Sequence, residues 1–76
     1  MNVDQRIQQV DACIEQASVS IEGLIAPELD LALQLCKHFE LQLGTLVRRA
    51  DAIRILDEGQ TARERLQEAA QHLICR

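Results

Sequence analysis

Seven apolar residues near the start of the chain, Val3, Ile7, Val10, Ile14, Ala17, Ile21 and Leu24, recur at alternating intervals of four and three. That spacing puts all of them on one face of an α-helix, the pattern of a helix lying along another helix. A second series, Leu29, Ala32, Cys36, Phe39, Leu43, Leu46, Ala50 and Ile53, keeps the same rhythm. Between the two, Gly23 and Pro27 predict a turn. Proline fits the first turn of a helix, where its missing N–H costs nothing, and the residue before it is biased away from α geometry. Glu28 and Asp30 then place negative charge near the helix N-terminus, where the dipole favours it.

A third stretch carries Ala62, Leu66, Ala69 and Leu73, out of phase with the second series. Thr61 followed by Glu64 reads as a capping box, and Gly59 fits the left-handed position after a helix end. The spacing therefore predicts helices over about 2–25, 28–57 and 62–75, with a break at 57–61. Leu29, Leu31, Leu33 and Leu35 also alternate with less apolar residues, the period of a strand. The residue types oppose that reading, because Leu, Ala, Gln, Glu and Lys favour helix and β-branched residues are nearly absent there. The expected fold is all-α: an antiparallel helical hairpin plus a short C-terminal helix, a coiled-coil-like bundle in one domain spanning 1–76.

Seventy-six residues bury a modest fraction of their surface, so a staple or a partner is expected. Phe39 is the only aromatic residue, which leaves Leu, Ile, Val and Ala to build the core. The second helix has more apolar surface than one neighbour covers. Leu33, Leu35 and Val47 widen its stripe to roughly 160° at about 100° per residue. The surplus predicts association with a second copy or with another protein, at an interface including Leu31, Leu35, Leu41, Ile55 and Leu56. A helical protein-binding adaptor, chaperone or regulatory subunit is the function this pattern implies.

The formal charge of −4 disfavours indiscriminate binding to nucleic acid. The alternative to a protein-binding role is a dimeric nucleic-acid-associated regulator using Lys37, Arg48, Arg49 and Arg54 as a basic helix face. Three cysteines, Cys13, Cys36 and Cys75, are an odd number and read as reduced thiols in a cytoplasmic protein. No stretch approaches the length of a membrane span.

Chemistry-bearing sets are sparse. His72 and Cys75 share a helix face, but a structural zinc needs two such pairs. Cys36 and His38 point to different sides of a helix, and Cys36 reads as a buried small hydrophobe. Glu68 and His72 are explained by a surface contact one turn apart. There is no phosphate-binding glycine loop and no nucleophile with a base beside it. The expectation is a non-enzyme with no cofactor, no metal and no small-molecule substrate.

Overall fold

The structure, a computed structural model, describes residues 2–18 and 26–74. Within them the chain forms four α-helices and one short 3-10 turn, with no strand among the described residues. Helix α1 spans Val3–Cys13 and starts from a capping box. The Gln5 N–H donates to Asn2 Oδ1 at 2.8 Å. The Gln5 side chain in turn accepts the Asn2 N–H, the reciprocal bond that defines this cap. Helix α2 spans Ala26–Phe39, with Glu28 in its first turn and Lys37 and His38 in its last, each sign matched to the dipole. Helix α3 spans Leu43–Leu56 and α4 spans Ala62–Ile74.

The hairpin expected from helices over 2–25 and 28–57 is corrected in two places. The first helix stops at Cys13, and a single 3-10 turn over Ile14–Gln16 leads to an extended Ala17. Groups from α3 take over the backbone there. The Arg48 guanidinium donates to the Ile14 carbonyl at 3.2 Å, and Asp51 Oδ2 accepts the Ser18 N–H at 2.8 Å. Bonds that would have extended the helix are made across the fold instead. The Gly23–Pro27 turn and Cys75 fall wholly or partly outside the described residues.

The second correction is larger. The helix expected over 28–57 is two helices, α2 and α3, separated at Glu40, Leu41 and Gln42. Glu40 takes the left-handed conformation with φ 56°. The Leu41 N–H then reaches back to the Cys36 carbonyl at 2.9 Å, the six-to-one bond of a Schellman ending. Glycine usually fills that position, and a glutamate there carries no sequence signature of a break.

The break at 57–61 is present, and its chemistry differs in part. Thr61 and Glu64 form the capping box, with the Glu64 N–H donating to Thr61 Oγ at 3.2 Å and the Thr61 N–H to Glu64 Oε1 at 3.1 Å. Gly59 is not left-handed, since no glycine among the described residues has positive φ. Its N–H donates to Asp57 Oδ1 at 3.0 Å, so an aspartate side chain makes the turn. The Arg65 guanidinium closes this loop by donating to the Gln60 carbonyl.

Helix α3 is the hub. It packs against α1, α2 and α4, and Leu46, Val47, Ala50, Ala52 and Ile53 are buried around most of its circumference. Val10 from α1, Ala32 from α2, and Leu66, Ala69 and Ala70 from α4 complete the core. The many alanines let the helix axes approach closely. The radius of gyration is 11.3 Å, about what a folded chain of this length should have. The over-wide apolar stripe thus has a partly internal explanation: on its α3 portion, the same chain covers it from three sides.

Candidate functional site

Two features depart from an ordinary small helical core. The first is a cluster of charge where α1, α3 and α4 meet. Arg6 lies one turn before the buried Val10, so its side chain starts on the core face of α1. Its guanidinium donates to Glu68 of α4 at 2.8 Å. Gln60 adds a second donor to Glu68 at 3.1 Å. Arg49 lies three residues after Leu46 and four before Ile53, which turns it inward; it is 6% exposed and bonds Asp11 of α1 at 2.9 Å.

His72 completes the cluster at 5% exposure, with Nε2 3.4 Å from Glu68 Oε2. The surface position expected for it is therefore incorrect: three residues after buried Ala69, the ring faces the core rather than solvent. The charges of Arg6 and Arg49 are balanced by Asp11 and Glu68, which leaves an uncharged imidazole as the best-matched state. Burial lowers the His72 pKa, and Arg49 and Arg6 push the same way while Glu68 and Asp11 oppose them. Burial would raise Glu68, but the bonds from Arg6 and Gln60 and the Arg6 charge outweigh it and hold the carboxyl below its ordinary value. The bond to Glu68 raises Arg6. Arg49 Nε and His72 Nδ1 find no hydrogen-bond partner among the described residues, a cost that ion pairing must offset. Mechanically the cluster is a clamp that fixes α1 to α3 and α4.

The second feature is the outer face of α2. Leu31, Gln34, Leu35 and His38 are spaced as one helical stripe. Together with Lys37 they line an open groove of about 620 Å³. Phe39, 39% exposed, lies beside it, with the His38 ring edge-on to Phe39 at 4.5 Å; Leu33, 49% exposed, lies on another side of the helix. Helix α2 buries Ala32 against the bundle; Leu31 and Leu35, half-buried, pack against the same core from the edge of the groove, and Gln34, Lys37 and His38 are exposed.

The interface residues expected from sequence separate accordingly. Leu31 and Leu35 line the α2 groove and, half-buried, also pack against the core. Leu41 and Ile55 are half-buried and pack against the core, and Leu56 is exposed at the end of α3. The basic residues do not form one face. Lys37 is on α2, Arg48 is tied to the Ile14 carbonyl, Arg49 is inside the clamp, and Arg54 pairs with Asp51 at 2.8 Å. Cys13 and Cys36 are half-buried thiols against the core, and burial pushes the Cys36 thiol up. Among the described residues no group of three His, Cys, Asp or Glu side chains could hold a metal ion, and no helix is long and apolar enough to cross a membrane.

Sequence reasoning named Leu31 and Leu35 for a protein interface and Lys37 for nucleic acid, three residues that line the α2 groove, and missed the clamp. The spacing of Arg49 from Leu46 and Ile53, and of His72 from Ala69, was the available signal. No family model, no curated protein and no solved structure matches the chain.

Proposed function

We propose that this protein is a helical protein-binding module, an adaptor or regulatory subunit, that works through the outer face of α2. One observation carries the reading: the Leu31–Gln34–Leu35–His38 stripe and its groove, with exposed Phe39 beside it, on a helix held from behind by the bundle. An apolar helical face of this kind recognises another helix, either laid into the groove or completing a bundle. The apolar residues provide affinity, and Asp30, Lys37 and His38 at the ends of the face set orientation and partner choice. The charge clamp plays no part in recognition; it keeps the platform behind α2 rigid. Three thiols with no even pairing fit work in a reducing compartment such as the cytoplasm.

A photo-crosslinking residue at Gln34, with controls at exposed Gln8 of α1 and Gln67 of α4, tests this in the cell. Adducts concentrated at position 34 and removed by Leu31→Glu support the reading. Equal labelling at all three positions, or none at 34, removes it.

A further inference from the structure

We infer that α1 is a strap released by acid: a proton taken up by the buried His72 frees α1 as a unit from α3 and α4, while α2, α3 and α4 stay packed on one another. Two observations carry this, the way α1 is held and the place of His72 beside it. Helix α1 has one buried side chain, Val10. The rest of the fully buried core lies on the other helices: Ala32 of α2, Leu46, Ala52 and Ile53 of α3, and Leu66, Ala69 and Ala70 of α4. Those three helices pack on each other directly. What fixes α1 and the turn after it is mostly polar. Arg6 bonds Glu68, Asp11 bonds Arg49, the Ile14 carbonyl accepts from Arg48, and the Ser18 N–H donates to Asp51. Each of these bonds has a charged group on α3 or α4. Such bonds weaken when a charge is added or screened, whereas apolar burial does not.

His72 Nε2 lies 3.4 Å from Glu68 Oε2, the same oxygen that accepts the Arg6 Nε–H. The charges acting on the ring are Glu68 on its own helix, Arg49 on α3, and Arg6 and Asp11 on α1. Helix α2, which also packs on α4, brings the uncharged Ala32 to this core. Two carboxylates therefore face two guanidinium groups. A proton on the imidazole adds a third cation, out of water, which competes with Arg6 for one carboxylate oxygen. Detaching α1 removes Arg6 and lets water reach the ring. The departure of Asp11 works the other way and is the weakest of these influences. The released form thus binds the proton more tightly than the docked form, and by linkage the proton favours release.

The test is amide hydrogen exchange of the full chain followed by NMR, at about pH 7.5 and about pH 5.5, corrected for the intrinsic rate at each pH. A helix as short as α1 unwinds once free, so release reads as lost protection. About one pH unit below the ordinary imidazole value of 6.5, coupling to a single proton loosens α1 by up to about tenfold. Amides of residues 7–13 should lose that protection, while Ala50 and Ile53 of α3 and Leu66 and Ala69 of α4 keep theirs. His72→Leu should hold α1 equally protected at both pH values, and His72→Gln should do the same with a polar group in place. Salt of about 1 M at the higher pH should loosen the same α1 amides alone. Joint loss of protection in α1, α3 and α4 overturns the strap, because the chain then opens as a whole. Protection of α1 that ignores pH overturns the trigger, as does a pH response that survives in both His72 variants. Protection that ignores salt overturns the polar seat.

Discussion

The junction of α1, α3 and α4 and the outer face of α2 are inverted with respect to each other. At the junction, Arg49 and His72 lie inside a core that has few residues to spare. On α2, Leu33 and Phe39 lie outside. Buried charge is expensive to desolvate, and replacing an ion pair with apolar groups of like volume is often neutral or stabilising. Exposed leucine contributes nothing to the fold of the chain that carries it. The contrast teaches that position in the fold, more than residue type, decides what is buried and what is exposed here. Charge at the junction gives α1 a defined seat on a smooth alanine-rich core, while on α2 Leu33 and Phe39 are left exposed.

If that division is right, the two regions respond to substitution on different scales. Leu46 is fully buried at the centre of α3. Leu46→Ala should cost about 3 kcal/mol by loss of transfer energy and creation of a cavity, measured by urea unfolding. A loss as large at Leu33 would erase the distinction. Glu68→Ala leaves Arg6 and His72 facing each other without their shared carboxylate. It should cost about 2 kcal/mol, less than for a fully buried pair because the carboxylate keeps some solvent contact. Arg6→Met with Glu68→Leu should lose less than Glu68→Ala alone; a larger loss would show that the clamp itself is stabilising.

Acid should act on the clamp in two stages. His72 titrates below its ordinary value of 6.5 in the fold. The unfolded chain therefore takes up that proton first, and stability falls as pH drops below about 6.5. Glu68 is also held below its ordinary value of 4.5. Its contribution, complete above that pH, is lost as pH falls further. His72→Leu should remove the upper stage and keep the lower. Unfolding curves for this variant that still slope between about pH 6.5 and 5 would assign the first stage to another group.

Smaller effects belong to the joint and to the open face. Glu40 holds a left-handed backbone. Glu40→Gly relieves its Cβ conflict and should stabilise by about 1 kcal/mol, read as a raised melting temperature. Destabilisation would mean that the Glu40 side chain supports the α2–α3 junction. Leu33 is exposed, so Leu33→Gln should change monomer stability by less than about 0.5 kcal/mol in the same measurement.

The helical class was legible because apolar spacing is a local property, and so was the end of α3, because Thr61 and Glu64 announce their capping box within four residues. The α2–α3 joint was not. Its left-handed residue is a glutamate, and the chain resumes with Leu43 and Leu46 still facing the core, so the heptad rhythm passes through the joint undisturbed. The only trace was the alternation of Phe39, Leu41 and Leu43. That Leu31 and Leu35 share one side of a helix could be read, since their spacing lies within α2. The clamp could not be read as a set, because Arg6 and Glu68 are sixty-two residues apart and no local pattern links them.

That separation also sets a timetable for a chain made from its N-terminus onward. Asp11 meets its partner Arg49 only once α3 has emerged, and Arg6 waits for Glu68 until most of α4 has followed. Until then α1, at eleven residues, is too short to hold helical structure by itself in water. A fragment ending at Asp57 therefore has a seat for one end of α1 and none for the other, so a newly made molecule becomes resistant to proteolysis in one late step rather than helix by helix.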